Sequence, residues 1–323
     1  MLKILYAGSP VIAVKPLIEI ECSQKHQIVG VLTNPPKPQK RGKELVSTPV
    51  AQALASINNE RAKCGKHEIA LFEPQKLSEI HSAIQELKPD ILVCFAYGKI
   101  FTQEFMSLFP LGGINLHPSL LPRYRGCAPI PAAILNKDKE TGFTIQRIAQ
   151  RMDSGNILLQ TRFCLNGTEY TEDICEKVSN EGGSLFLKVL EKIENNTITE
   201  TVQNEDEATY FGMLKKEDAC INWKDSAENI CAKIRAFEPW PGAYTTIDGT
   251  PLKIHRATVS TKCFSKESVE PGTVLGTDNE EGILFKTGDG VLAVQNLQWQ
   301  AKKAMNCKDF INGARNFAGL ICN

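Results

Sequence analysis

The sequence lacks the cysteine patterns of metal and redox proteins. Its 11 cysteines stand singly, and no two of them have the C-x-x-C spacing of zinc ligands or redox dithiols. An odd number of scattered cysteines also argues against a disulfide framework. We therefore expect reduced cysteines, most of them buried, and no metal site.

The sequence also lacks a long apolar run and an excess of charge of one sign. No stretch approaches the roughly 18 apolar residues needed to cross a bilayer, and residues 1–10 contain no basic segment followed by an apolar run and a cleavage site. Lys and Arg number 37, as do Asp and Glu, so a nucleic-acid partner would have to meet a local basic patch. We expect a cytoplasmic protein that does not associate with membranes.

Length and composition predict a globular protein of two domains. Apolar residues make up 42% and charged residues 23% of the 323 residues, which is ordinary globular usage. Single hydrophobic cores seldom grow beyond about 250 residues. Apolar periodicity stops after residue 193 and residues 194–207 are polar, so the sequence predicts a domain at 1–193, a linker at 194–207 and a second domain at 208–323.

The first domain has the pattern of an α/β protein. Short apolar segments predict strands at residues 2–7, 28–32, 70–72, 91–95 and 113–117. Because helical spacing of apolar residues separates such segments, we expect a mostly parallel, doubly wound sheet. Gly8-Ser9-Pro10 matches neither G-x-G-x-x-G nor G-x-x-x-x-G-K-[ST], so a tight turn is the expected structure there. Open α/β sheets bind ligands beyond the carboxyl ends of their strands, which is where we expect the site.

The second domain is predicted to contain a helix followed by short strands. Ser226 is a typical helix cap, and Ile230, Ile234 and Phe237 share one helical face. Five segments punctuated by glycine follow, at residues 244–247, 252–258, 272–275, 282–286 and 291–298. That spacing suits a small barrel or sandwich. Trp240, which stands between two prolines, is expected to pack in the core rather than to serve as a stacking platform.

Residues able to do chemistry are concentrated at 113–126. If 113–117 is a strand, its period of two places Asn115 and His117 on the same face. A carboxamide N–H can stabilise an oxyanion, and an imidazole can carry a proton near neutral pH. Asp153, in a turn-like segment downstream, could hold the imidazole, although an Asx turn or a helix cap is the ordinary role of an isolated Asp.

Two motifs together resemble the signature of the folate-dependent formyltransferases. Asn115-Leu-His117-Pro-Ser119-Leu-Leu-Pro122 is followed, 36 positions after His117, by Asp153-Ser-Gly155. The similarity covers essentially the whole chain, and residues 235–244 resemble the C-terminal domain of those family members that act on charged tRNA. The fold class that this resemblance implies is α/β, with a Rossmann-like formyltransferase domain followed by a small OB-like β-barrel domain that helps to hold tRNA.

The resemblance also implies roles for individual residues. Asn115, His117 and Asp153 match the catalytic residues of the family. Its folate-contacting turn is matched by Ser119, Leu120, Leu121 and Pro122. The implied formyl donor is the co-substrate 10-formyltetrahydrofolate, with no metal. Asn156 departs from the family, where an Asp is frequent, but no departure falls on the three catalytic positions.

A basic loop bears on the choice of acceptor. Four basic residues lie within seven positions: Lys37, Lys40, Arg41 and Lys43. A solvated charged loop is the ordinary interpretation. By position, however, the loop resembles a basic insertion of the family's tRNA enzymes, with Arg41 the closest match. This implies contact with the acceptor stem of initiator methionyl-tRNA, with salt-dependent phosphate contacts from the lysines. We expect a monomer.

Other functions remain open. The same catalytic module serves amino-sugar nucleotide formyltransferases and glycinamide ribonucleotide formyltransferases, so the three catalytic positions indicate the reaction better than the acceptor. A glycinamide ribonucleotide enzyme would end near residue 200, and the basic loop favours tRNA over a sugar nucleotide. A noncatalytic folate- or RNA-binding module would not require Asn115, His117 and Asp153 together.

Overall fold

The computed structural model describes residues 1–39, 44–262, 269–314 and 316–323. They form two compact units. The first comprises Met1–Pro129, Thr141–Phe163 and Cys175–Tyr210, and the second comprises Ile130–Glu140, Cys164–Ile174 and Phe211–Asn323. The domain limits inferred from the sequence are simpler than this division and remain a prediction.

The strands and helices are numbered in their order along the chain. The strands are β1 (Lys3–Ala7), β2 (Gln27–Leu32), β3 (Lys37–Gln39), β4 (Glu44–Val46), β5 (Ala70–Phe72), β6 (Ile91–Cys94), β7 (Gly113–His117), β8 (Arg125–Gly126), β9 (Glu140–Arg147), β10 (Ile157–Cys164), β11 (Tyr210–Phe211), β12 (Tyr244–Ile247), β13 (Thr250–Val259), β14 (Val274–Asp278), β15 (Gly282–Lys286), β16 (Val291–Trp299) and β17 (Met305–Asn306). The α-helices are α1 (Val14–Ser23), α2 (Pro49–Lys63), α3 (His81–Leu87), α4 (Gln103–Met106), α5 (Pro129–Leu135), α6 (Thr171–Glu194), α7 (Ala227–Phe237) and α8 (Cys307–Gly313), and short 3-10 helices lie at Val11–Ala13, Leu77–Ile80, Glu205–Glu207 and Glu217–Ala219.

The first unit is built on a seven-stranded sheet in the order β10-β9-β7-β6-β1-β2-β5. Five neighbouring strands of this sheet pair in parallel, in the order β7-β6-β1-β2-β5, and β9 pairs antiparallel to β7. All four residues of β6 are buried, and because successive side chains point to opposite faces, both faces of the sheet are covered there. The predicted Rossmann-like α/β fold is confirmed, and the carboxyl ends of β6 and β7 meet at one edge.

The turn after β1 is as tight as the sequence predicts. A Cβ atom on Gly8 would lie 2.9 Å from the backbone oxygen of Phe95 and 2.8 Å from the Ala13 side chain. Only glycine leaves room for this close approach of two backbone segments. The chain then enters the 3-10 helix at Val11–Ala13 and continues as α1.

Strands β3 and β4 form a small hairpin that the sequence analysis did not predict. β3 and β4 pair antiparallel, with Lys37 opposite Val46 and Gln39 opposite Glu44. Lys37 is exposed on the first arm. Lys40, Arg41 and Lys43, which the sequence assigns to tRNA binding, lie outside the described residues.

The second unit contains an antiparallel sheet in the order β12-β13-β16-β15-β14, with β17 paired to β16. Helix α7 begins after Ser226, whose Oγ accepts a hydrogen bond of 3.2 Å from the Asn229 N–H, which confirms the predicted cap. Its Ile230 and Ile234 join a core with Ile254 and Leu297 of the sheet. The predicted small β domain is therefore confirmed.

Two expectations about side-chain burial are wrong. Trp240 is 54% exposed instead of lying in the core. Of the ten cysteines within the described residues, only Cys94, Cys231 and Cys322 are buried and five are exposed. In the part of the chain that the structure describes, no helix is long and apolar enough to span a membrane.

Candidate active site

The strand β7 presents Asn115 and His117 at the edge where the parallel strands end. The two side chains lie two residues apart and hence on one face. His117 is buried, with 4% of its surface exposed, whereas Asn115 is half-buried. Within the ranges that the structure describes, no residue hydrogen-bonds to the Asn115 side chain, so its carboxamide is available to a ligand.

Each ring nitrogen of His117 faces an acceptor. Nε2 lies 2.8 Å from the backbone oxygen of Tyr124, and because a carbonyl only accepts, Nε2 carries the proton. Nδ1 lies 3.6 Å from Asp153 Oδ2, which is too long for a direct hydrogen bond but close enough for an ion pair when the ring is protonated. A protonated imidazole would thus have a matching acceptor at both nitrogens.

The carboxylate of Asp153 is held from both sides. Its Oδ2 accepts a 2.8 Å hydrogen bond from the Gly126 backbone N–H, and its Oδ1 accepts one of 2.9 Å from Gln146 Nε2. Its backbone has φ +52°, the left-handed conformation that Asp tolerates better than most residues.

The loop that carries Asp153 lies against β9 because Gly155 has no side chain. A Cβ atom on Gly155 would lie 1.8 Å from the backbone oxygen of Arg147. No residue with a side chain could occupy this position without moving the backbone. The Asp-Ser-Gly motif therefore needs its glycine for packing and its Asp for the site.

The sheet register brings the three predicted catalytic residues together. Asn115 stands opposite Gln146 in the β7–β9 pairing, so the two side chains share a face, and Gln146 in turn binds Asp153. On the other side, Asn115 pairs with Cys94 of β6. Burial raises the pKa of the Cys94 thiol to about 12, which leaves it protonated and unreactive near neutral pH.

The predicted folate-contacting turn is closed by hydrogen bonds within the protein. The Ser119 hydroxyl is fully buried and donates to the Arg123 backbone oxygen at 2.6 Å, and Thr144 Oγ1 donates to the Ser119 oxygen at 2.6 Å. Leu121 is buried, whereas Leu120 and Pro122 are half-buried. The accessible parts of the turn are therefore Leu120 and Pro122.

Sequence reasoning missed a group of polar residues that lies behind the site. Gln203, from the stretch predicted as a linker, is only 5% exposed, and Arg125 has no exposed surface. Arg125 donates to Gln203 Oε1, to Glu205 and to the Tyr210 hydroxyl, and these contacts raise its pKa, chiefly through the hydrogen bond to Glu205. The polar composition of 194–207 masked this burial, since no apolar periodicity marks it.

Family models match both parts of the chain. The model described as formyl transferase matches residues 3–190, and the one described as formyl transferase, C-terminal domain, matches residues 213–315. The chain is 44% identical to the methionyl-tRNA formyltransferase of Treponema denticola, with 98% of each chain covered. The chain belongs to the methionyl-tRNA formyltransferase family. The enzymes of that name from Treponema pallidum and Borrelia duttonii are 41% and 38% identical to it, with 97% and 99% of each chain covered.

Solved structures share the fold of this family member. HypX from Aquifex aeolicus in complex with tetrahydrofolic acid matches 98% of this chain with 48% of its own, at a TM-score of 0.66 and 15% identity. An N-formyltransferase from Helicobacter canadensis, in complex with folinic acid and dTDP-3-aminofucose, matches 91% of this chain with 98% of its own, at a TM-score of 0.64 and 24% identity. At these identities the likeness extends to the fold alone.

Proposed function

We propose that the protein transfers the formyl group of 10-formyltetrahydrofolate to the amino group of methionine on initiator tRNA. The observation that carries this proposal is the arrangement of His117 and Asp153, 3.6 Å apart, beside the unpaired carboxamide of Asn115. The relatives named methionyl-tRNA formyltransferase, similar over nearly the whole chain, support both the reaction and the acceptor.

The residues around the site fit a folate co-substrate. The hydroxyl and carbonyl of Ser119 are hydrogen-bonded within the protein and Leu120 and Pro122 stay accessible, which suits contact with the apolar surface of a ring system. Asn115 offers a half-buried amide with no partner in the described chain. When bound, the folate supplies the formyl group, and this turn would hold it next to the three catalytic candidates.

Asn115 is proposed to stabilise the charge that develops during transfer. As the amine of methionine forms its bond to the formyl carbon, negative charge builds on the formyl oxygen. The Asn115 carboxamide N–H can donate to that oxygen at the moment when the charge appears. Removing one such donor typically lowers kcat by about 10²–10³-fold.

His117 and Asp153 are proposed to manage the proton that the attacking amine must lose. The amine nitrogen gains a bond to carbon and releases a proton, and the departing folate nitrogen needs one. A protonated His117 is matched by the Tyr124 oxygen and by Asp153, so the pair can hold the proton between these two events, through water where the distance requires it. The Asp153 carboxylate orients the ring throughout.

The acceptor is proposed to be bound through the hairpin and the second unit. Lys37, Lys40, Arg41 and Lys43 would provide the local basic patch that a chain of zero net charge needs to meet tRNA. Phosphate contacts of this kind predict that the KM for the tRNA rises steeply with salt concentration. The amino acid and its amine would then be presented to Asn115.

One assay tests the proposal against its alternatives. The purified protein is incubated with 10-formyltetrahydrofolate and with initiator methionyl-tRNA, an amino-sugar nucleotide or glycinamide ribonucleotide, and each formylated product is measured. Formylation of the charged tRNA and of neither small acceptor is the expected result. Failure to formylate initiator methionyl-tRNA would refute the proposed function.

A further inference from the structure

We propose that Gln203 and Arg125 are positioning residues that hold Asp153 in its working place. This inference rests on the proposed function of the same site. Neither residue would touch a substrate: each would act through the loop that carries Asp153. Gln203 lies 50 positions beyond Asp153 in the chain, so the polar stretch after α6 would be part of the catalytic apparatus instead of a simple connector.

The side chain of Gln203 ties the Asp153 loop to the interior. Its Nε2 lies 2.9 Å from the backbone oxygen of Asp153 and 2.7 Å from that of Gly155. The same nitrogen lies 3.2 Å from Gln146 Oε1, and Gln146 is the residue that donates to the Asp153 carboxylate. Gln203 is therefore bonded both to the backbone that carries the carboxylate and to one of the carboxylate's two donors.

Arg125 fixes the orientation of the Gln203 amide. It donates from Nε and Nη2 to Gln203 Oε1, at 3.0 and 2.9 Å. Because Arg only donates and a backbone carbonyl only accepts, the amide oxygen must face Arg125 and its nitrogen must face the loop. Glu205 in turn holds Arg125, at 2.7 Å, and the hydrogen bond from Arg125 lowers the pKa of that carboxyl.

This arrangement keeps a strained loop in one conformation. The φ of +52° at Asp153 costs more for Asp than for Gly, although less than for most other residues, and contacts with the surroundings help to keep it. Arg125 also precedes Gly126, whose N–H binds the Asp153 carboxylate. Releasing Gln203 would therefore free the carboxylate without removing any group that meets a substrate, and kcat should fall while the KM values do not change.

The test compares two substitutions at Gln203. Gln203→Glu keeps the size and the acceptor for Arg125, but turns an oxygen towards the carbonyl oxygens of Asp153 and Gly155. Gln203→Ala removes both ends of the link. We expect each to lower kcat for methionyl-tRNA formylation by about 10- to 100-fold, the scale of a misplaced catalytic group, with KM for both substrates changed by less than about twofold.

Gln295 provides the matched control, since its half-buried Nε2 also donates to a backbone oxygen, that of Glu281, at 3.0 Å. Gln295→Glu and Gln295→Ala should retain the wild-type kcat. Thermal unfolding of all four variants identifies any that fail to fold. A folded Gln203→Glu protein with wild-type kcat, or one in which KM rises and kcat stays, would refute the inference.

Hydrogen exchange separates this inference from the proposed function. The Gly126 N–H, bonded to Asp153, should exchange faster in Gln203→Ala than in the wild type or in Gln295→Ala. A wild-type protein that formylates no acceptor would refute the proposed function, and the exchange result would still decide whether Gln203 holds Asp153. Unchanged exchange at Gly126 would overturn the positioning role whatever the activity.

Discussion

Replacing Asp153 by Asn is the sharpest test of the proposed chemistry, because it removes the negative charge and keeps the size of the side chain. The two carboxylate oxygens face donors, the Gln146 amide and the Gly126 backbone N–H, at 2.9 and 2.8 Å. An Asn side chain has one oxygen, so its NH₂ group must meet a donor at one of the two places. Gln146 cannot simply turn its amide, since its oxygen already faces the Gln203 nitrogen at 3.2 Å.

The expected losses follow from these contacts. One hydrogen bond to a charged acceptor disappears and leaves a donor unpaired, which should lower the free energy of unfolding by about 1.5–3 kcal/mol. The Asp153 side chain is only 14% exposed, so water can replace little of the lost hydrogen bonding. The negative charge beside His117 disappears as well, and neutralising a carboxylate that orients a catalytic His has lowered kcat by about 10⁴-fold in another enzyme.

Initial rates of methionyl-tRNA formylation measure the effect, with Asp248→Asn as the matched control. Asp248 is exposed and has φ +49°, so the same chemical change is made in nearly the same backbone conformation. We expect Asp248→Asn to keep its kcat and Asp153→Asn to lose at least about 10²-fold, with similar KM values. Near-normal kcat in folded Asp153→Asn would remove Asp153 from the proposed mechanism.

Three further predictions concern the surroundings of the site and the second unit. Gly155→Ala should abolish activity, because its Cβ would lie 1.8 Å from the Arg147 oxygen; an active, folded variant would contradict the packing argument. Thr144→Val leaves the Ser119 oxygen without its 2.6 Å donor. It should lower the free energy of unfolding by about 1–3 kcal/mol and raise the KM for the folate. If neither value changes, the proposed role of the turn in folate binding is wrong. His255 has a pKa raised chiefly by its hydrogen bond to Glu238, so their pairing stabilises the protein fully below the usual His pKa and less as pH rises through the raised value. Glu238→Gln should therefore lower Tm more at acid than at alkaline pH, and an equal loss at both would refute this.

The sequence predicts well those parts of the fold in which buried positions give a regular pattern of apolar residues. β6 is buried at every residue and is apolar at every position, and Ser226 caps α7 as its residue type suggests. Asn115 and His117 were assigned to one face because the strand period requires it. These inferences need only local periodicity and side-chain chemistry.

The parts of the structure that the sequence does not predict depend on contacts between distant segments. Gln203 is buried by pairing with Arg125, 78 positions away, and nothing in its polar neighbourhood signals burial. Tyr124 contributes its backbone oxygen to His117, a role that no residue type encodes. The exposure of Trp240 likewise depends on the path of the chain around it, since a large aromatic residue alone favours the core.

The reaction and the choice of acceptor would depend on different residues, because each group recognises only the atoms that it contacts. In the proposed mechanism, Asn115, His117 and Asp153 act on the formyl group and on one amine, and these are common to every acceptor considered for this reaction. They cannot distinguish a charged tRNA from an amino sugar, so the discrimination must come from residues that contact the rest of the acceptor. The hairpin of β3 and β4, with Lys37 exposed on its first arm, and the second unit are proposed to supply such residues. Neutralising the hairpin lysines should therefore raise KM for the tRNA while leaving kcat unchanged, since uniform binding is lost and transition-state contacts are kept.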